Sequence, residues 1–186
     1  MEELIERIKR EGRVIGENIL KVDSFLNHRV DPALLKKIGE RFAEIFKEEN
    51  PSLVLTVESS GISPALFTAL SLGIPLIFAR KRKPITLCGK VFERKITSRT
   101  KLNEITISLS GDYIREGEKV LIIDDFLATG ETIKALCEMI EEARGKVVGI
   151  GICIEKTFQR GRETLKNYKV VSLAKIDSLN PLLVRP

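Results

Sequence analysis

Tryptophan is absent from the sequence, while histidine occurs once and cysteine three times among 186 residues. Cys88, Cys137 and Cys153 show no Cys-x-x-Cys spacing, and one histidine does not complete a standard four-ligand zinc site with them. We therefore predict no dedicated metal centre built from protein ligands. A small, odd number of cysteines is also typical of a reducing compartment.

Long apolar runs are missing as well. No stretch approaches the roughly 18 consecutive apolar residues that a membrane-spanning helix needs. Residues 1–12 alternate charged and apolar positions at helical spacing, which differs from the uninterrupted apolar region of a secretory signal. We expect a cytoplasmic protein with no membrane partner.

Two common nucleotide-binding motifs do not occur. The sequence has neither Gly-x-x-x-x-Gly-Lys nor Gly-x-Gly-x-x-Gly, which disfavours nucleoside triphosphate hydrolysis and dinucleotide binding. The net charge is +5, but the basic residues are dispersed and the densest basic patch is residues 80–83. An anionic small substrate explains that patch as well as nucleic acid would, and we predict no nucleic-acid partner.

Length and composition predict one domain over residues 1–186, since 43% of the chain is apolar. Two strand–helix–strand units follow one another, the first with strands at 53–57 and 74–79 and the second with strands at 120–123 and 147–154. Such units form parallel sheets with right-handed crossovers. The sequence therefore predicts an α/β fold with a central, mostly parallel sheet flanked by helices.

Three smaller features complete the predicted fold. Asp31 before Pro32 is typical of a helix start, and Gly73 of a helix end. Residues 83–117 lie between the two units, contain one plausible strand at 105–109, and are predicted to form a mobile flap. Closure of such a flap would exclude water from a site. Its basic residues are Lys90, Arg94, Lys95, Arg99 and Lys101.

The strongest site signal follows the predicted strand at 120–123. Ligands bind at the carboxyl ends of parallel strands, where Asp124 and Asp125 would accept hydrogen bonds from ribose hydroxyls or orient magnesium-bound water. The residues after them lead into a helix, so their amides and hydroxyls suit a phosphate. Isolated fragments of this string would suit an ordinary capped turn. The phosphate-binding residues are Ala128, Thr129, Gly130, Glu131 and Thr132.

Two further groups are predicted at the same sheet edge. Ser59, Ser60 and Gly61 follow the strand at 53–57 and offer hydroxyls and amides that suit pyrophosphate, although a plain tight turn has the same composition. Arg80 and Lys81 follow the strand at 74–79 and would neutralise a departing pyrophosphate, or simply form a solvated basic face.

The string of apolar residues, two acids, two apolar residues and Ala-Thr-Gly-x-Thr at 120–132 resembles the phosphoribosyl pyrophosphate (PRPP) signature of type I phosphoribosyltransferases. The resemblance implies displacement at the anomeric carbon of PRPP by a purine nitrogen. It also implies Mg²⁺ held mainly by PRPP or pyrophosphate, and residues 128–132 holding the 5-phosphate. A step of this kind needs positioning and charge stabilisation rather than a nucleophilic side chain.

Residues 20–28 are similar to the base-recognition segment of bacterial xanthine phosphoribosyltransferases, and the similarity continues at 58–62, 78–81 and 154–159. It implies transfer to xanthine, a homodimer, and a small base-recognition hood from residues 1–50 and 155–186. It further implies that Leu20 packs on the purine, Asn27 hydrogen-bonds it and Lys156 recognises a base oxygen.

The phosphate loop departs from that pattern at Thr129 and Glu131, where xanthine enzymes carry Asn and Gln. Adenine enzymes often show Ala-Thr-Gly there, so adenine or another purine stays open as the acceptor. A PRPP-sensing purine regulator without catalysis is a further alternative. His28 has no carboxylate partner visible in the sequence and is not assigned a catalytic role.

Overall fold

A computed structural model describes residues 1–81, 89–98 and 103–186. The elements in chain order are α1 (Glu2–Glu11), β1 (Arg13–Ile15), β2 (Ile19–Lys21), α2 (Pro32–Phe46), β3 (Leu53–Val57), α3 (Ile62–Leu72), β4 (Leu76–Ala79), β5 (Val91–Ser98), β6 (Asn103–Ser110), β7 (Lys119–Leu127), α4 (Glu131–Glu142), β8 (Lys146–Lys156), β9 (Val170–Leu179) and β10 (Leu182–Arg185).

The main sheet has the strand order β10-β9-β8-β7-β3-β4. Strands β4, β3, β7, β8 and β9 are parallel, and β10 joins the edge in the antiparallel direction. The chain passes from β3 to β4 on one side and then returns to β7 on the other, so the winding direction reverses between β3 and β7. This reversal is where open α/β sheets bind ligands. The predicted fold class is confirmed.

Both faces of the sheet are covered by apolar layers. One layer joins α1 and α2 to the sheet and includes Leu4, Phe42 and Leu121, while the other joins α4 and the β5–β6 hairpin and includes Ile107 and Leu136. Coverage on both faces explains why β3 is buried at every position and reads as a continuous apolar run. Helix α4 and strands β7 and β8, which form the predicted second strand–helix–strand unit, contribute to these layers.

The predicted helix start and helix end are confirmed. The Asp31 carboxylate accepts hydrogen bonds from the amides of Ala33 and Leu34 at 3.1 and 3.2 Å, which satisfies two donors that the first turn of α2 would leave unpaired. Gly73 ends α3 in the left-handed conformation at φ 67°.

Two strand boundaries differ from the prediction. Strand β7 continues to Leu127, so Asp124 and Asp125 lie within the strand and not in the turn after it. The cause is the long neighbour β8, which pairs with Asp124 and Phe126 through Ile152 and Ile154. Strand β4 begins later than predicted, at Leu76.

The predicted flap contains a hairpin of two strands, β5 and β6, where the sequence indicated only one. Strand β5 was missed because charged residues interrupt its apolar alternation. Phe92 and Ile107 are buried in the core, and Arg94 binds Glu138 and Glu142 of α4 at 3.3 and 2.6 Å. The base of the hairpin is therefore tied to α4.

Parts of the predicted flap lie outside the described residues. These parts are residues 83–88 and 99–102, and they include Cys88, Arg99 and Lys101. Flap mobility stays a prediction. Across 1–81, 89–98 and 103–186, no helix is both long and apolar enough to cross a membrane.

Helices α2 and α3 approach most closely at Gly39, where an added Cβ would lie 2.7 Å from Cβ of Phe67 and would collide with its backbone. Gly39→Ala should therefore destabilise the protein by about 1–3 kcal/mol. Each kcal/mol lost should lower Tm by roughly 2–4 °C. Ala33→Ser, on the exposed side of α2, is the control for thermal unfolding. A rise in Tm would mean that helix propensity outweighs the close packing at this position.

Candidate functional site

The loop after β3 packs against strand β7 at the reversal point of the sheet. Gly61 lies against the Thr56 hydroxyl and the Asp124 carboxylate, and a Cβ on Gly61 would collide with both oxygen atoms. Gly61 is buried, Ser60 is half-buried and Ser59 is exposed. The structure thus brings the predicted pyrophosphate residues into contact with the predicted ribose residues.

The two acids lie in different environments although they are neighbours. Asp124 is 5% exposed and Asp125 is half-buried, and the Asp125 amide donates a hydrogen bond to Asp124 Oδ1 at 3.0 Å. Burial raises the pKa of Asp124 well above its usual range, and the Asp125 charge adds to the effect. Burial also raises the pKa of Asp125, which hydrogen bonding and the Lys81 charge partly oppose. Donors or a cation brought by a ligand would restore both charges.

The phosphate loop, residues 128–132, connects β7 to α4. Gly130 has φ 83°, a backbone conformation that favours glycine, and it directs the chain into the first turn of α4 at Glu131. Thr129 and Thr132 are half-buried. The amides of the first helical turn and these two hydroxyls therefore lie in one short segment at the amino-terminal end of α4, where a phosphate group would bind.

The end of β4 is tied to the loop after β3 by Glu58. Its carboxylate accepts a hydrogen bond from the Lys81 amide at 2.7 Å and lies 3.5 Å from Arg80 Nη1. The Arg80 guanidinium also lies over the Phe78 ring, 4.8 Å from the centroid. Both predicted cations are exposed at the sheet edge, and Lys81 is close enough to influence the acid pair.

Lys156 lies between the acid pair and the amino-terminal hairpin. Its ammonium donates to the Asn18 carbonyl at 2.8 Å and lies 5.4 Å from the centroid of the Phe126 ring. Burial lowers the pKa of Lys156, while the Asp125 charge opposes that shift. The predicted base-recognition lysine and the predicted ribose acids therefore share one site.

The remaining base-recognition residues are Leu20, which lies within β2, and Asn27, which follows the β1–β2 hairpin in the chain. Leu20 is 5% exposed and belongs to the core cluster. Asn27 is half-buried at the end of the turn Asp23–Asn27, and its side-chain oxygen is buried without a hydrogen-bond partner among the described residues. A buried acceptor without a partner suits a ligand N–H.

Sequence reasoning missed two features beside the site. Phe126 supplies the aromatic ring that Lys156 lies over. Its position between Asp125 and the phosphate loop is the sequence feature that would have identified it. Glu155 is buried and paired with Arg162, and its signal is a charged residue at the end of an otherwise apolar strand.

The fold and the site first define a class. This is a doubly wound α/β protein that can hold a ribose phosphate where its sheet reverses direction. The chain belongs to the phosphoribosyl transferase domain family, whose model matches residues 27–181. The predicted resemblance to type I phosphoribosyltransferases is confirmed.

Curated relatives are similar over nearly the whole chain. The xanthine phosphoribosyltransferase of Bacillus licheniformis is 49% identical over 181 residues, covering 96% of this chain and 93% of that protein. The xanthine phosphoribosyltransferase of Oenococcus oeni is 52% identical over 176 residues, covering 94% and 85%. The similarity to xanthine phosphoribosyltransferases that the sequence motifs indicated is confirmed.

Solved structures carry the same fold. The adenine phosphoribosyltransferase of Thermoanaerobacter pseudethanolicus superposes with a TM-score of 0.78 at 27% identity, covering 92% of this chain and 99% of that chain. The Saccharomyces cerevisiae adenine enzyme matches with a TM-score of 0.77 at 23% identity, covering 93% and 99%, which supports the fold alone.

The raised pKa of Asp124 has a consequence for stability. A buried acid with a raised pKa makes the folded state lose stability as pH rises from the unfolded value of 3.8 through the folded value. Asp124→Asn should therefore raise Tm at neutral pH, by roughly 2–4 °C for each kcal/mol of penalty removed, and the gain should vanish towards pH 3.8. Thermal unfolding across pH tests this.

Asp177→Asn is the control variant, for which the expected change in Tm has the opposite sign. Hydrogen bonds from Arg185, at 2.6 Å, and Thr157 hold the pKa of Asp177 below its usual range. Its substitution should lower Tm at neutral pH, with the loss fading in acid. A lower Tm for Asp124→Asn at neutral pH would show that the Asp124 charge stabilises the unliganded fold.

Proposed function

We propose that this protein transfers the 5-phosphoribosyl group of PRPP to xanthine, giving xanthosine 5'-monophosphate and pyrophosphate. The observation that carries the proposal is the position of Lys156, which lies over Phe126 and within the field of Asp125. A donor for a base oxygen is thereby set beside the carboxylates for the ribose. The names of the curated relatives support the same acceptor.

The phosphorylated ribose is held at two points. The amides of residues 128–132 and the hydroxyls of Thr129 and Thr132 bind the 5-phosphate at the amino-terminal end of α4. Asp124 and Asp125 accept hydrogen bonds from the ribose hydroxyls, which supply the donors that the buried acids need. Contacts at both ends of the sugar fix the direction in which the anomeric carbon faces.

The leaving group departs towards the loop after β3. A purine ring nitrogen forms the new bond to the anomeric carbon and releases its proton to water, while the bond to the pyrophosphate oxygen breaks and its electron pair leaves with pyrophosphate. Amides and hydroxyls of Ser59, Ser60 and Gly61, with Arg80 and Lys81, stabilise the growing negative charge. The Lys81 charge opposes the rise in the pKa of both acids, which supports its proposed role beside the anomeric carbon.

Magnesium fits this site through its oxygen chemistry. The half-buried Asp125 carboxylate is a hard oxygen donor of the kind that Mg²⁺ prefers, directly or through water. Most of its ligands would come from PRPP. When bound, Mg²⁺ neutralises charge on the pyrophosphate.

The base is recognised between the hairpin and the end of β8. Lys156 donates to a carbonyl oxygen of xanthine, and the buried side-chain oxygen of Asn27 accepts from a ring N–H. Leu20 supplies apolar contact at the edge of the core. Adenine has no carbonyl oxygen for Lys156, which distinguishes it from xanthine.

We further propose that the enzyme is a homodimer. Two leucines one helical turn apart, Leu66 and Leu70, are 53% and 72% exposed on the outer side of α3. The adjacent edge strand β4 has half-exposed apolar residues from Leu76 to Phe78. A second copy would cover these exposed apolar residues.

Lys156→Met removes the proposed donor to the base oxygen. It should lower kcat/KM for xanthine by about 10- to 100-fold while changing the KM for PRPP little, because a hydrogen bond from a charged group is lost. The spectrophotometric rate with xanthine, guanine, hypoxanthine and adenine measures this, with Lys169→Met at the opposite end of the sheet as control.

Three results would change the assignment. Full xanthine activity in Lys156→Met would remove this residue from base recognition. Adenine preference in the wild type would keep PRPP transfer but replace the acceptor. Binding of PRPP without turnover of any base would favour the purine-responsive regulator.

Leu70→Glu places a charge in the proposed dimer surface. It should shift the sedimentation velocity profile from dimer to monomer, since a charge in an apolar interface is left without a partner. Leu183→Glu on the edge strand β10 is the control, because Leu183 is 52% exposed and lies outside that surface. Monomeric wild-type protein, or a dimer that Leu70→Glu leaves intact, would contradict this interface.

A further inference from the structure

The phosphate loop rests on a second backbone segment, the turn Gly161–Leu165 between β8 and β9. A Cβ on Gly161 would collide with the Ala128 carbonyl and would lie 2.8 Å from the Gly130 amide nitrogen. A Cβ on Gly130 would lie 2.6 Å from the Gly161 carbonyl oxygen. The two glycines therefore face each other backbone to backbone, and the Thr164 hydroxyl of the same turn also lies against Gly130.

The turn is attached to the sheet by Arg162. Its guanidinium binds both carboxylate oxygens of Glu155, at 2.9 and 2.5 Å, and also donates to the Val170 carbonyl at 2.9 Å and to Ser172 Oγ at 3.1 Å. Ser172 in turn donates to Glu155 at 2.6 Å. Every one of these acceptors belongs to β8 or β9, so Arg162 fixes the turn against two strands.

Glu155 is 4% exposed, which is unusual for a carboxylate. Burial by itself would raise its pKa, but the hydrogen bonds from Arg162 and Ser172 outweigh that effect and lower it. The pair is therefore charged, and the planar guanidinium determines both distance and direction. An apolar pair would fill the same space without that directional constraint.

We propose that Arg162 and Gly161 are positioning residues for the 5-phosphate subsite. The Glu155–Arg162 pair fixes the position of the turn relative to β8 and β9. The contact between Gly161 and Gly130 then fixes the position of residues 128–130. Strand β8 ends at Lys156, shortly before this turn, so β8 supports the base subsite and the phosphate subsite together. This inference rests on the proposed function, in which residues 128–132 hold the 5-phosphate of PRPP.

Gly161→Ala disturbs the contact directly, since Gly161 has no positive φ that alanine would strain. We expect its KM for PRPP to rise by about tenfold or more, because small displacements of binding groups have large effects, while the KM for xanthine changes by less than about twofold. Calorimetric titration with magnesium PRPP should show a matching loss of affinity.

Gly149→Ala is the matched control in β8. Its Cβ would lie 2.5 Å from Phe46 Cε1, in the core and away from the phosphate loop. It should lower Tm while leaving the KM for PRPP unchanged. Equal changes in both KM values for Gly161→Ala, or a change in Tm alone, would overturn the proposal.

Arg162→Lys and Arg162→Met test the anchor. Lysine keeps the charge without the planar double contact and should restore part of the PRPP affinity that methionine loses. Arg162→Met leaves the Glu155 carboxylate charged and buried without its partner, which destabilises the fold. The double variant Glu155→Gln with Arg162→Met removes that charge, so it separates loss of the anchor from loss of the fold. The double variant should lose no more PRPP affinity than Arg162→Met, as expected for residues that act as one unit.

The titration also separates this inference from the proposed function. Wild-type protein that binds PRPP but converts no purine would refute the enzyme, and the variants would still show whether the turn sets PRPP affinity. Wild-type turnover with unchanged PRPP affinity in Gly161→Ala and Arg162→Met would refute the positioning role and leave the enzyme intact. Failure of the wild type to bind PRPP would refute both.

Discussion

The site depends on the close approach of the loop after β3 to the Asp124 carboxylate. Asp124 lies in a central strand where burial opposes its charge, and Gly61 allows a backbone to pack directly against it. A larger residue at Gly61 would push the loop after β3 away from the Asp124 carboxylate in β7. The proposed ribose and pyrophosphate contacts are adjacent because this position lacks a side chain.

A similar contact recurs on the other side of the phosphate loop. Gly130 meets Gly161 backbone to backbone, so the loop is confined between α4 and the turn after β8. The Glu155–Arg162 pair holds that turn, residues 161–165, against the sheet. Rigid support of this kind suits a reaction in which the protein mainly orients reactants and stabilises leaving charge. It also accounts for ionic groups within an otherwise apolar part of the sheet.

Charge and burial divide the candidate site into two halves, which we propose bind pyrophosphate and the base. On the pyrophosphate side, Arg80 and Lys81 are exposed, and Glu58 ties them to the loop after β3. On the base side, Lys156 is partly buried over Phe126 and bound to Asn18 of the hairpin. The exposed cations suit a charged leaving group that must depart, while the enclosed lysine suits a neutral base that must be selected.

Local patterns predicted the parts of the molecule whose structure is set by nearby residues. The cap at Asp31, the left-handed Gly73, the apolar strand β3 and the loop of residues 128–132 all follow from short-range sterics and hydrogen bonding. Strand β5 was missed, because its charged residues hide a strand that becomes stable only through β6 and α4. The end of β7 was also missed, since only the length of β8 extends it to Leu127.

The sequence by itself determined the α/β class, the acid pair and the phosphate loop, because each is written in contiguous residues with a fixed local geometry. The tertiary structure alone decided which of these segments meet. Gly61 touches Asp124, Lys156 reaches Asn18, and Gly161 supports Gly130 across large separations in the chain. Contacts of that kind depend on strand order and on the exact packing of backbones, which no local pattern encodes.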